Sequence, residues 1–261
     1  MEYRGTLSCD TLKVTAMITM LIDHIGAGIL ENMIRYADIS AESLQMVYSI
    51  NSILRLIGRI SFPIYGYLLL QGLIHTRSRT KYAVNLLLFA FLSEIPFDYL
   101  FYGNITFLHQ NVFWTLFIGL ITLCGIEFIE KSGLPVYFQL TGIMATSAAG
   151  LLVAELLNTD YAWMGIAMIL SFYFVRNNRT LQCGIAFIIF FFALTSYYSA
   201  YFPTWLDSFR YTLDSEWSLL ISFLLIYQCN GQRHIKKGKY IFYAFYPIHM
   251  AVLWVVFQAL L

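Results

Sequence analysis

The sequence predicts an all-α fold, a polytopic integral membrane helical bundle of about nine transmembrane helices. Two observations carry this. Of 261 residues, 59% are hydrophobic and 12% charged, too little polarity to cover a water-soluble globule. The apolar residues also fall into unbroken runs near the roughly 20 residues that an α-helix needs to cross a bilayer core. Backbone groups in lipid must be satisfied within the segment, so these runs are helices.

The runs lie near 11–30, 50–74, 81–101, 112–130, 137–157, 161–175, 180–201, 216–230 and 240–260, and the sixth is short. Brief polar loops join them, without a linker or low-complexity tract, which predicts one transmembrane domain over 1–261. The polar start, Met1 to Asp10, leads into the first run without a small-residue cleavage pattern, so that run is expected to stay in the mature protein.

Sixteen basic and 15 acidic residues leave a net charge of +1, which gives no general attraction to nucleic acid. The placement of the charges is more informative. Alternate loops carry His75, Arg77, Arg79 and Lys81, then Lys131, then Arg176 and Arg179, then Arg233, Lys236, Lys237 and Lys239. The other loops hold only Arg35 and Arg210 as cations, with Glu31, Asp38, Glu42, Asp160, Asp207, Asp214 and Glu216. By the positive-inside rule the N-terminus is cytoplasmic, in a multi-pass protein of the inner (cytoplasmic) membrane. Cys9, Cys124, Cys183 and Cys229 show no paired spacing, so neither a disulfide framework nor a metal site is expected.

Ionisable residues inside spans are costly and mark function or interhelical pairing. Here they are Asp23, His24, Arg55, Arg59, Glu94, Asp98 and His249. At 1.5 Å per residue, Asp23, His24, Arg59 and Glu94 reach similar depth. Positions four apart share a helix face, so Arg55 and Arg59 are expected to point one way, as are Glu94 and Asp98. Lys13 and His24, eleven apart, share a stripe of the first span. Gly26 and Gly28 allow close approach, and Pro63 and Pro96 open the helices at this depth. Each charge also has a plain structural reading: an interhelical pair, a hydrogen-bonded His249, a snorkelling Lys13.

Several blocks in order carry a resemblance. Leu12-Lys13 through Asp23-His24-Ile25-Gly26, Ile57 to Pro63, Gly72 to Arg77, Ser93 to Asp98, Asn111 to Phe113, Asn158 to Tyr161, and Lys239-Tyr240 through Tyr246-Pro247-Ile248-His249 resemble the TraX family. That family is named for a conjugative protein that acetylates the N-terminus of pilin. It is similar in turn to the acyltransferase family 3 enzymes, whose first span carries Arg and His eleven apart. Lys13 stands where that Arg would be.

The resemblance implies a membrane-embedded acyltransferase that moves acetyl from cytoplasmic acetyl-CoA to an amine or hydroxyl of an acceptor in or across the membrane. The acceptor is a pilin-like peptide, a small molecule or a glycan. His24 is the expected general base or covalent acetyl carrier, and both routes stand open. Asp23 or Glu94 would orient its ring, and Arg59 would stabilise an oxyanion or anchor a carboxylate. Lys13, His75, Arg77, Arg79, Arg233, Lys236 and Lys237 are candidate CoA contacts. Asp98, His109, Asn111, Asp160 and His249 would line the acceptor's side. The alternatives are a transporter relaying protons or ions through Asp23, Glu94 and Arg59, and a silent scaffold.

Overall fold

The computed structural model describes residues 5–36, 40–233 and 239–260. Ser8 caps α1 (Cys9–Ile25), its hydroxyl accepting from the Thr11 N–H. The same helix continues through one π turn, Gly26–Leu30, into α2 (Glu31–Tyr36). Then follow α3 (Ala41–Gly58), capped by Ser40, α4 (Ser61–His75), α5 (Arg79–Tyr102), α6 (Val112–Glu130) and α7 (Val136–Leu156). The chain ends in α8 (Ala162–Phe174), α9 (Arg179–Tyr198), α10 (Trp205–Glu216), α11 (Leu219–Tyr227) and α12 (Lys239–Leu260).

The break between α3 and α4 has a local cause. Pro63 has no N–H to offer the Arg59 carbonyl four residues earlier, and Ile60 N–H bonds three residues back, to Ile57. Pro96, by contrast, is carried inside α5.

Seven helices among the described residues are long and apolar enough to cross a membrane, with α3 and α4 forming one of them. Two of the nine expected runs fall short of that length. The run at 161–175 is a helix of 13 residues, and the run at 216–230 is the 9-residue α11, preceded by the polar α10.

The chain divides into two compact units. In the unit formed by Gly66–Leu92 and Phe107–Leu194, α8 runs the length of α6 despite being short. At one end Thr115 donates to the Asp160 carbonyl, and Asp160 N–H bonds Gln110 O at 2.8 Å. At the other end Tyr173 donates to Glu130 at 2.7 Å, and Arg176 lies 3.7 Å from the same carboxylate. The turn into α8 uses left-handed backbone at Asn158 and Tyr161, where side-chain-bearing residues are uncommon. Helices associate in lipid through close packing rather than through hydrophobicity. Accordingly α7 lays Gly150 against Thr122 and Gly142 against Ile129, while its large side chains Tyr137, Met144 and Leu156 face outward.

The other unit comprises Met1–Tyr65, Ser93–Thr106 and Thr195–Leu261. Leu7 exchanges backbone hydrogen bonds with Gln228 and Asn230, at 3.0 and 2.8 Å, so α1 begins beside the end of α11. The chain therefore crosses an even number of times between Cys9 and Cys229. The Sγ atoms of these two cysteines lie 3.5 Å apart, both free and buried, a proximity that their spacing in sequence does not show. Polar Ser208, Thr212 and Glu216 are buried at i, i+4 and i+8 of α10, and Trp205, Leu206, Leu213 and Trp217 face outward. Arg210 and Asp214 are exposed as well, so the outward side of α10 mixes aromatic, apolar and charged residues.

Candidate functional site

Helices α1 and α12 begin at the same end of their unit: Lys13 Nζ lies 5.3 Å from the Phe242 ring centroid. Further along both helices, His24 meets His249, with Nδ1 of His24 2.6 Å from Nε2 of His249. The ring planes differ by 1° and the centroids lie 4.9 Å apart. With the nitrogens this close, such a separation is that of two imidazoles edge to edge in one plane, the geometry of an in-plane N–H···N bond.

The tautomers follow from the third member. His249 Nδ1 sits 2.7 Å from the Phe245 carbonyl, which can only accept, so the proton is on Nδ1. In the neutral ring His249 Nε2 is then an acceptor, and His24 donates to it through Nδ1. Neutral His24 is left with a bare lone pair on Nε2. Phe101 and Tyr246 stand edge-on to the His24 ring at 5.8 and 5.7 Å, and His24 is 9% exposed. The result is a basic nitrogen on a ring whose orientation is set by a partner, itself anchored to the backbone.

The sequence expectation gave that orienting role to Asp23 or Glu94, and assigned His249 to the acceptor. In the structure His249 is the residue on the His24 ring. Asp23 Oδ2 receives Arg55 Nη1 at 2.6 Å, and Arg55 Nε also reaches Glu31 Oε1 at 3.4 Å. Gly58 packs on Asp23, which leaves no room for a Cβ there. Glu94 is half-buried on the portion of α5 that belongs to this unit, with the buried Asp98 one turn beyond it.

Arg55 and Arg59 do not act as one face. Arg59 caps the end of α3, and its Nε lies 3.1 Å from Glu216 Oε1, which also accepts from Tyr198 at 2.6 Å. Glu216 is 1% exposed. Both Glu31 and Glu216 read as loop residues because each borders a hydrophobic run, whereas the helices extend past those borders. The available signal was the need of two arginines in spans for two carboxylates.

Asp98 caps a turn, accepting from Thr106 N–H at 2.8 Å. In the second unit Asn111 caps α6, and its Nδ2 bonds the Ala90 carbonyl at 2.8 Å. His109 Nε2 is 4.0 Å from Asp160 Oδ1. These three residues, Asn111 above all, have clear structural work. Arg79 in that unit pairs with Glu127 at 2.7 Å, and His75 and Arg77 are exposed. Lys13 pairs with Asp10 at 3.3 Å, and Arg233 is exposed. Lys236, Lys237 and Asp38 lie outside the described residues.

A family model described as "TraX protein" matches residues 8–257 of the chain. The chain is also 27% identical over 262 residues to the "Probable fimbrial assembly protein FimC, serogroup H1" of Dichelobacter nodosus, covering 94% of each chain. No solved structure matches.

Proposed function

From the premise that the chain belongs to the TraX family, a multi-pass membrane protein, we propose that it is an acyltransferase that uses His24 to acetylate an amine or hydroxyl. The observation that carries this is the chain His24–His249–Phe245 carbonyl, which leaves the Nε2 lone pair of a fixed imidazole available. A group that takes a proton must hold its lone pair toward it, and a neutral, oriented imidazole offers such a lone pair.

In the proposed reaction the acceptor nitrogen or oxygen attacks the thioester carbonyl carbon of acetyl-CoA as His24 Nε2 takes its proton. The carbon–sulfur bond then breaks, and the CoA thiolate leaves with the proton that the His24 imidazolium gives up, which returns the ring to its neutral form. Between the two transfers the imidazolium keeps its Nδ1 hydrogen bond to His249. Acetyl-CoA is the co-substrate of this proposal. Among the described residues of the unit that holds His24, the cations suited to its phosphates are Lys13 and Arg233, with Lys13 about 16 Å from His24 along α1. Orientation follows the same reading: the N-terminus, with these cations, faces the cytoplasm of the inner membrane. A pilin-like acceptor is in keeping with the fimbrial-assembly name of the relative.

The alternative, a relay of protons or ions through Asp23, Glu94 and Arg59, is less well supported, because Asp23 is engaged by Arg55 and Arg59 by Glu216. The deciding experiment incubates purified protein with acetyl-labelled acetyl-CoA and a panel of amine and hydroxyl acceptors. CoA release with labelled product, lost in His24→Ala at unchanged melting temperature, is the expected result. Full transfer by His24→Ala overturns the proposal.

A further inference from the structure

Two turns beyond the histidine pair, α1–α2 and α12 reach Asn32 and Phe257, about 12 Å further along their axes. There they line a cavity of about 240 Å³ with Tyr99, Tyr102, Asn104 and Gln258. It sits at the end of its unit opposite the Leu7–Gln228 pairing, next to the loop that leaves α5. None of its lining residues is charged.

Asn32 sets the chemistry. It is 4% exposed, and its amide nitrogen donates to the carbonyls of Gly28 and Leu100, both at 2.8 Å. Both N–H bonds are spent, which fixes the orientation of the amide and leaves Oδ1 as an acceptor on the cavity wall. Oδ1 can be met from the open side by water, or by an occupant that carries an N–H or O–H there. A carboxylate or phosphate has no proton to offer, and no cation compensates it. Asn104 and Gln258 add two more carboxamides at the exposed rim, each presenting a donor and an acceptor side by side. Tyr99, Tyr102 and Phe257 supply flat apolar walls. A secondary amide matches this set: its N–H to Asn32 Oδ1, its carbonyl to a rim NH₂, its flanks on the rings.

We propose that this cavity binds an uncharged amide-bearing ligand of about two peptide units. As a seat for the acceptor the site rests on the acetyl-transfer reading; as an amide-binding site it does not.

The test uses full-length protein in lipid nanodiscs and N-acetyl-alaninamide as the probe, with glucose and acetate as competitors, read by ligand-observed NMR and calorimetry. Binding of the amide is expected, weakened about fivefold by Asn104→Ala and by Gln258→Ala, the loss of one neutral hydrogen bond each. Both positions lie at the exposed rim, and the melting temperature should stay unchanged. Gly28→Ala should also weaken binding, because its Cβ would come within 2.7–2.8 Å of the Leu100 side chain and push it toward the cavity. Absence of amide binding overturns the proposal, as does binding untouched by the rim variants, or displacement by glucose or acetate as effective as by the amide itself. His24→Ala should retain the amide while losing acetyl transfer, so failure of this site and failure of the catalytic reading are told apart.

Discussion

His24 and His249, 225 positions apart in sequence, share one hydrogen bond in one ring plane, and the second histidine is tied to the backbone of its own helix. This arrangement makes His249 a positioning residue for His24. His249→Ala should cut acetyl transfer about a hundredfold, within the range of a displaced general base. His249→Asn, which can still accept from His24 Nδ1, should recover part of the loss. The check is the initial rate of CoA release for both variants; equal rates in wild type and His249→Ala would remove the role.

Asp23 and Arg55 are bound at 2.6 Å within the membrane-spanning region. Removing Arg55 takes the guanidinium from Asp23, at a cost of about 3 kcal/mol, whereas removing Asp23 leaves Arg55 its contact to Glu31 and costs less. Asp23→Ala and Arg55→Ala should therefore each be clearly less stable than wild type. The double variant should be less destabilised than the sum of the two, as measured by thermal unfolding in one detergent.

The Arg59–Glu216 pair is more deeply buried on its acidic side. Glu216→Ala leaves a guanidinium and the Tyr198 hydroxyl without their shared acceptor and should cost about 3–5 kcal/mol. Arg59→Met with Glu216→Leu should be more stable than either single change. A double variant no better than Glu216→Ala would show that the pair is not the reason for the loss.

Gly58 lies so close to Asp23 that a Cβ would overlap both its carboxylate and its Cβ. Gly58→Ala should thus force α1 and α3 apart, destabilise the protein by about 1–3 kcal/mol and weaken the Asp23–Arg55 bond. Gly184→Ala, where a Cβ meets open space, is the matched control and should be neutral or better.

Cys9 and Cys229 are near enough to be joined. In a Cys124→Ser, Cys183→Ser background, diamide should take two electrons and two protons from this pair to form an intramolecular disulfide. Peptide mass spectrometry would find the Cys9- and Cys229-containing peptides linked. Free Cys9 and Cys229 thiols in the folded protein, under diamide treatment that does oxidise the unfolded control, would contradict the pairing of α1 with the end of α11.

Most of the fold is visible in the amino-acid order because the bilayer imposes a length and an apolarity on each span. That rule misses elements that are short or inverted. The 13 residues of α8 are enough because they cross only from the level of Thr115 to that of Glu130. Helix α10 hides its polar stripe, so its composition reads as a loop. The candidate site divides in the same way. His24, Asp23 and Arg59 stand out as ionisable groups in apolar runs, and His249 stands out as a polar residue in an aromatic one. Their partners do not, because Glu31 and Glu216 lie at the borders of hydrophobic runs where charge is ordinary.

The class of protein, the family and the side chains too costly in lipid to be idle are all legible in residue order, since transfer energies and spacing are properties of that order. The pairing comes from packing in three dimensions: His24 with His249 rather than Asp23, Arg55 with Asp23 and Glu31, Arg59 with Glu216. Hydrogen bonds require atoms within about 3 Å. Helical phase confines a side chain to a stripe, and the choice among the several polar groups along the facing stripe belongs to the packing of distant segments.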